Sequence, residues 1–279
     1  MKVIKELPLS ILWTLRLMSI PASQLRKKKM EVSPVIVSLT SIPSRLKTLH
    51  LVIRSLLHQD VSPKKIVLWM HQDLESILPD SLRKLVGEQF EIQFSALTCS
   101  HRKLIHSLEA FPDEVIVTCD DDLMYRKNWL SLLYAEHLQN PKCIIGNHTV
   151  HINHDKDGNP MPFRTWRKPM DGKTNPWALT PIGAWGVLYP PNSLSDQVRD
   201  PEKFMELAPR ADDLWFKAMA LLKGTISIQA SKKPKEPIPI GGTQKVALKK
   251  ENLGADRNTA QWQALEDAYG LSEIILGSP

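Results

Sequence analysis

Short continuous apolar runs alternate along this chain with stretches of helical period. Val35-Ile36-Val37-Ser38-Leu39 predicts a buried strand, ended by the breaker Thr40-Ser41-Ile42-Pro43. Leu46, Leu49, Ile53 and Leu56 then recur at helical spacing, which predicts an amphipathic helix over 44–58 with Ser44 as its N-cap. A turn at Pro63 leads to a second strand, Lys65 to Met70. A short helix follows Pro79-Asp80 and ends at Gly87, and Phe90 to Phe94 alternates as a third strand. A helix over 102–110 feeds a fourth strand, 114–119, and another helix follows near 128–138. Further strands are expected at 143–152, 182–190 and 226–228, and further helices from Ala211 and over 258–269. Residues 155–181 and 230–242, rich in Pro, Gly, Lys or Asn, read as loops, and irregular stretches of the first kind are usually functional. Strand–helix alternation of this type predicts an α/β domain with a mostly parallel central sheet and helices on both faces.

The fourth strand runs into Asp120-Asp121-Asp122. Three carboxylates leaving a buried strand repel one another unless a cation or a polar crevice neutralises them. Ligands of open α/β sheets bind at the carboxyl ends of strands. A D-x-D spacing there suits Asp120 and Asp122 as ligands of Mn2+ or Mg2+ carrying a diphosphate. Asp122 can equally cap the following helix. Thr40, Ser41 and Arg45 leave the first strand at the same end, where a nucleotide would lie. Arg102 and Lys103 start a helix that reaches toward phosphates, although Arg102 also reads as a solvated helix start.

Charge changes the picture in one respect. Seven of the 36 basic and one of the 30 acidic side chains lie in residues 1–30, so this leader holds the whole net charge of +6 and the body is neutral. A nucleic-acid partner is therefore not expected. The apolar stretch Leu7 to Ile20 is too short to span a bilayer and is interrupted by Arg16. Followed by Arg26-Lys27-Lys28-Lys29, it suits a helix on an anionic membrane surface, or one packed on the protein's own body. Cys99, Cys119 and Cys143 match no zinc pattern and read as reduced thiols of a cytoplasmic protein.

Several motifs together resemble glycosyltransferases of the GT-A fold, family-2-like and of the bacterial polysaccharide and lipopolysaccharide type. The resemblance is carried by Val35 to Thr40 with Arg45, by Ser55-Leu56-Leu57-His58-Gln59, by the strand Lys65 to Met70, and by Asp120-Asp121-Asp122 in the D-x-D position. Pro181 to Pro191 and Ala211 to Ala218 add two later blocks. It covers about residues 34–270 and implies a single GT-A domain over 31–279. Its donor half would lie at about 34–125 and its acceptor half at about 126–270. The implied activity is transfer of a sugar from a nucleotide-diphosphate donor to a hydroxyl of a glycan or glycolipid, with inversion and a divalent metal. The implied base is Asp213 first and Asp212 second, and Asp121 would hydrogen-bond the donor. The chain departs from the family where its second strand ends Met70-His71-Gln72-Asp73, so that only Asp73 is available to contact the base.

Gly183 and Gly186 flank Trp185, which suggests close backbone approach to a ligand and an aromatic face for a sugar ring, or else a tight core turn. His148, His151 and His154 do not share one face of a strand, so they are not expected to bind a metal together. Gly241-Gly242-Thr243-Gln244 is no complete phosphate loop. The competing functions are a glycoside hydrolase using the Asp120/Asp122 and Asp212/Asp213 pairs, and a non-catalytic, membrane-associated glycan-binding protein.

Overall fold

A computed structural model describes residues 2–27, 31–243 and 256–277. Lys28, Lys29 and Gln244 of the motifs above lie outside the described residues. Seven strands form one sheet in the order β10-β6-β9-β4-β1-β2-β3. These are β1 (Val32–Thr40), β2 (Ser62–His71), β3 (Phe90–Ser95), β4 (Val115–Thr118), β6 (Ile144–Gly146), β9 (Val187–Tyr189) and β10 (Ser227–Gln229). Strands β1 to β4 pair in parallel, and β6 pairs in parallel with β10. Only β9 runs the other way, between β4 and β6. The architecture is Rossmann-like α/β, with a sheet continuous across the expected donor and acceptor halves.

Alternate residues of the central strand serve opposite faces. Val35, Val37 and Leu39 pack in a core with α3 (Leu46–Leu57) and α6 (Trp129–Gln139). Ile36 joins the opposite core, built on α5 (Arg102–Ala110), α8 (Asp212–Lys223), α9 (Arg257–Tyr269) and α10 (Leu271–Leu276). Helix α8 ends in the pattern its sequence announces, with Lys223 in the last turn and Gly224 in the left-handed region at φ 78°.

Four expectations needed correction. Ser44 does not cap α3, because Pro43–Arg45 forms a 3-10 turn and Arg45 stands at the cap position. The single strand expected over 143–152 is two. Gly146 ends β6 with Pro181 so close that a Cβ would lie 2.9 Å from it, and β7 (Thr149–His151) turns away to pair with β8 (Leu179–Pro181). The strand expected over 182–190 is only β9, preceded by a 3-10 turn over Gly183–Trp185. The loop over 230–242 contains β11 (Ile238–Pro239), which pairs antiparallel with β5 (Leu123–Met124). A helix unforeseen in the apolar pattern, α7 (Pro201–Leu207), is capped by Asp200, whose carboxylate accepts from the N–H groups of Glu202 and Lys203.

Helix α1 (Lys2–Met18) packs on α3 and β11, with Leu17 fully buried. Arg54, near the end of α3, is buried and donates to the carbonyls of Leu17, Met18 and Ile20 at the end of α1. The opposite side of α1 exposes Leu7, Ile11, Leu12, Leu15 and Met18, with Leu12 at 62% and Leu15 at 64% exposure. Of the two expectations for the leader, packing on the body is what the structure shows, and the helix leaves an apolar face pointing outward. No helix among the described residues is long and apolar enough to cross a membrane.

Candidate active site

From β1 the chain builds β2 and β3 on one side, then crosses back to lay β4 on the other. The carboxyl ends of β1 and β4 thus flank a topological switch point, where open α/β sheets bind ligands. Thr40 and Ser41 leave β1 there, and Asp120, Asp121 and Asp122 leave β4.

Two cations organise this acidic turn. Arg45 pairs with Asp121 and, at 3.0 Å, with Asp122. Ser41 Oγ also donates to Asp121. Burial pushes the Asp121 carboxyl up, against the opposing pull of Arg45 and Ser41. Lys103, on the first turn of α5 and buried, lies 3.0 Å from Asp120 and 3.0 Å from Asp212. Burial disfavours its charge, but Asp120, Asp212 and Asp213 outweigh that and keep the ammonium protonated well beyond its ordinary range. One lysine thereby ties the end of β4 to the start of α8, elements 92 residues apart in sequence.

The two aspartates that open α8 have different surroundings. Asp212 receives Lys103 and, at 2.9 Å, the hydroxyl of Ser100. Burial works to raise its pKa, yet Lys103 and the other partners bring it below the usual carboxylate value. Asp213 accepts only the N–H of Gly183, at 3.0 Å, among the hydrogen bonds described. Burial, then the neighbouring Asp212, push it up to about 7, with Lys103 opposing. Adjacent carboxyls with pKa values driven apart are the usual arrangement for separating a structural role from acid–base chemistry.

Other expected residues fall at different places. Thr40 donates its hydroxyl to Trp69 O at 2.8 Å and receives Arg102, so it belongs to the wall. Arg102 is not a solvated helix start. It is buried and also donates to Leu97 O at 2.7 Å and Ser41 O at 2.6 Å, holding the β1 exit in place. Asp73 stays exposed beside His71, 3.3 Å away, and none of its described contacts reaches the acidic cluster. Gly183 joins the site through Asp213. Gly186 does not, since its close neighbour is the ring of Trp129. Trp185 is only partly covered and lies 5.3 Å from His148, ring to ring. His151 binds Asn153, and His154 binds Ser272.

Sequence reasoning missed Tyr125. This buried side chain accepts from the Asp120 N–H at 2.8 Å and donates to Ala184 O at 3.2 Å, linking the acidic turn to the Gly183 turn. An aromatic seven residues after a strand end looks like any core residue, so only its hydroxyl could have hinted at the role.

The carboxylates as arranged do not fit a divalent ion. Asp121 and Asp122 share a guanidinium and Asp120 faces an ammonium. Among the described residues no group of three or more His, Cys, Asp or Glu could hold a metal. Arg45 and Lys103 supply the positive charge that such an ion would bring.

No family model matches the chain, and no curated protein does. Among solved structures, the 4-diphosphocytidyl-2C-methyl-D-erythritol synthase of Anaerococcus prevotii is 14% identical, with a TM-score of 0.46 over 80% of this chain and 96% of its own. TarS 1–349 of S. aureus, solved free and with UDP, is 17% and 15% identical in its two structures, with TM-scores of 0.44. These cover 73% and 72% of this chain, which spans 59% of the TarS chain. Likenesses this distant add nothing to the fold, which stands on its own strand order.

Proposed function

We propose that the protein is a glycosyltransferase that moves a sugar from a nucleotide-diphosphate donor to a hydroxyl of a glycan or glycolipid. The observation that carries this reading is the convergence of Arg45, Lys103, Asp120 and Asp213 at the switch point of a mostly parallel sheet. The nucleotide would lie along the exits of β1 and β4, near Ser41 and Asp121. Arg45 and Lys103 would neutralise the negative charge that gathers on the diphosphate as the bond from the sugar's anomeric carbon to phosphate oxygen breaks. Asp213, as its carboxylate, would accept the proton of the attacking hydroxyl while the new carbon–oxygen bond forms from the opposite side, which inverts the configuration. Asp212, held by Lys103, keeps that ammonium in place.

The outward apolar face of α1, with the exposed Arg16 on the same helix, supports a peripheral position on the anionic inner face of a membrane. Such a position suits a glycolipid acceptor. The test is a panel of sugar nucleotides, with and without manganese, against the native chain and Asp213→Asn. One donor should be turned over, and the variant, folded by circular dichroism, should lose about a hundredfold or more in rate. Full turnover by folded Asp213→Asn refutes the assignment.

A further inference from the structure

Lys217 has no role in the site as described, yet it stands on the face of α8 that carries Asp213, one helical turn further on. It is 2% exposed, and its Nζ has no hydrogen-bond partner among the described residues. A buried ammonium without a partner is costly, so burial lowers its pKa to about 7. Asp213 and Lys217 line one cavity of about 10 Å3, together with Tyr189, Phe216, Pro181 and Ser227. That is room for a single water-sized group. The Oγ of Ser227 is also buried without a hydrogen-bond partner among the described residues.

Besides Lys217, four charged or titratable groups are described around Asp213. Lys103 faces it from α5, Asp120 from the end of β4, Asp212 from its own helix and Tyr189 from β9. Lys103 is committed to Asp120 and Asp212. Lys217 is the cation at the cavity without a carboxylate of its own among the described contacts.

We propose that Lys217 is a positioning residue for Asp213, the two sharing one proton across the cavity they line, so that the amine's uptake of that proton makes Asp213 a carboxylate. The O–H bond of the Asp213 carboxyl breaks with its electron pair staying on the carboxylate, the proton passes to a water of the size the cavity admits, and that water gives up one of its own O–H protons to form the N–H bond on Lys217, so the water is regenerated. A neutral pair becomes an ion pair with no other reactant consumed. The catalytic meaning rests on Asp213 as the base, but the coupling itself does not.

The experiment follows the Asp213 carboxyl carbon by NMR against pH in the full chain labelled at aspartate, the signal being identified by its loss in Asp213→Asn. In Lys217→Met, the near-isosteric apolar variant, the Asp213 midpoint should rise by about one pH unit. Coupling is reciprocal, so in Asp213→Asn the Lys217 amine, read by its own 15N signal, should titrate lower by a similar interval. A lysine that merely fills space would change stability and leave both midpoints where they are. Unmoved Asp213 in folded Lys217→Met overturns the proposal, and if that variant fails to fold, an unmoved Lys217 in Asp213→Asn does so. Neither measurement uses a substrate. Failure of the transferase reading would show instead as turnover by Asp213→Asn.

Discussion

The backbone N–H of Gly183 donates to Asp213 Oδ2 at 3.0 Å, and a Cβ on Gly183 would lie 2.8 Å from Asp213 Oδ1 and 3.2 Å from Lys103 Nζ. The turn before β9 can approach the first turn of α8 this closely only without a side chain. Gly183→Ala should therefore displace the Asp213 carboxylate while the cores stay intact. We expect kcat/KM to fall about tenfold to a hundredfold with the melting temperature nearly unchanged. Wild-type kinetics would show that the contact does not position the base.

Gly186, three residues on, should behave in the opposite way. Its φ is 96°, and a Cβ there would come within 2.6 Å of the Trp129 ring. The Trp129 indole N–H also donates to Trp185 O at 2.8 Å. Gly186→Ala combines backbone strain with overpacking and should cost about 2 kcal/mol or more in urea unfolding. A loss below about 0.5 kcal/mol would mean the turn relaxes freely.

Asp213 also makes stability depend on pH. Its folded pKa of about 7 lies above the unfolded value, so its contribution is complete in acid and fades as pH rises from about 4 through 7. Asp213→Asn lacks that dependence. Its stability relative to the native chain should be near parity at pH 4 and greater by a few kcal/mol at pH 8, by chemical denaturation at each pH. Under the proposed function, the native rate should rise with pH through the same range. A stability difference that is flat with pH would contradict the buried, proton-holding carboxyl.

For the leader, Leu12→Glu with Leu15→Glu alters only outward positions of α1. Binding to phosphatidylglycerol vesicles should fall about tenfold or more, and binding of the native chain should weaken with added salt. The melting temperature should hold, because Leu17 and Arg54 are untouched. Equal partitioning of variant and native chain would remove the membrane from the account.

The parallel strands and their helices were legible because buried strands read as apolar runs and their helices as period-3.6 stripes. Helix α5 was found at its observed limits, Arg102 and Ala110. The acidic turn was legible too, since three carboxylates after Val115 to Cys119 have few structural reasons to be there. What the sequence hid were partners distant along the chain. Nothing near Arg45 announces Asp121, and nothing near Lys103 announces Asp212, 109 residues later. The split of 143–152 was hidden because Gly146 turns only in answer to Pro181. Strand β11 was hidden by prolines, which an edge strand tolerates. Asp200-Pro201 did carry the start signal of α7, a cap followed by proline at the first helical position.

The guanidinium of Arg54 beneath the end of α1 has a consequence for how the molecule would meet a lipid surface. A helix on a loose tether can roll to suit any approach, but this one is bolted to the core by three carbonyls. Ser10, at its middle, accepts from the N–H of Gly241, whose neighbour Ile240 donates to the carbonyl of Asp122. The oily keel and the acidic turn are thus parts of one rigid frame, so the molecule, if it binds a membrane, would ride at a single tilt, with its acidic turn at one height above the headgroups.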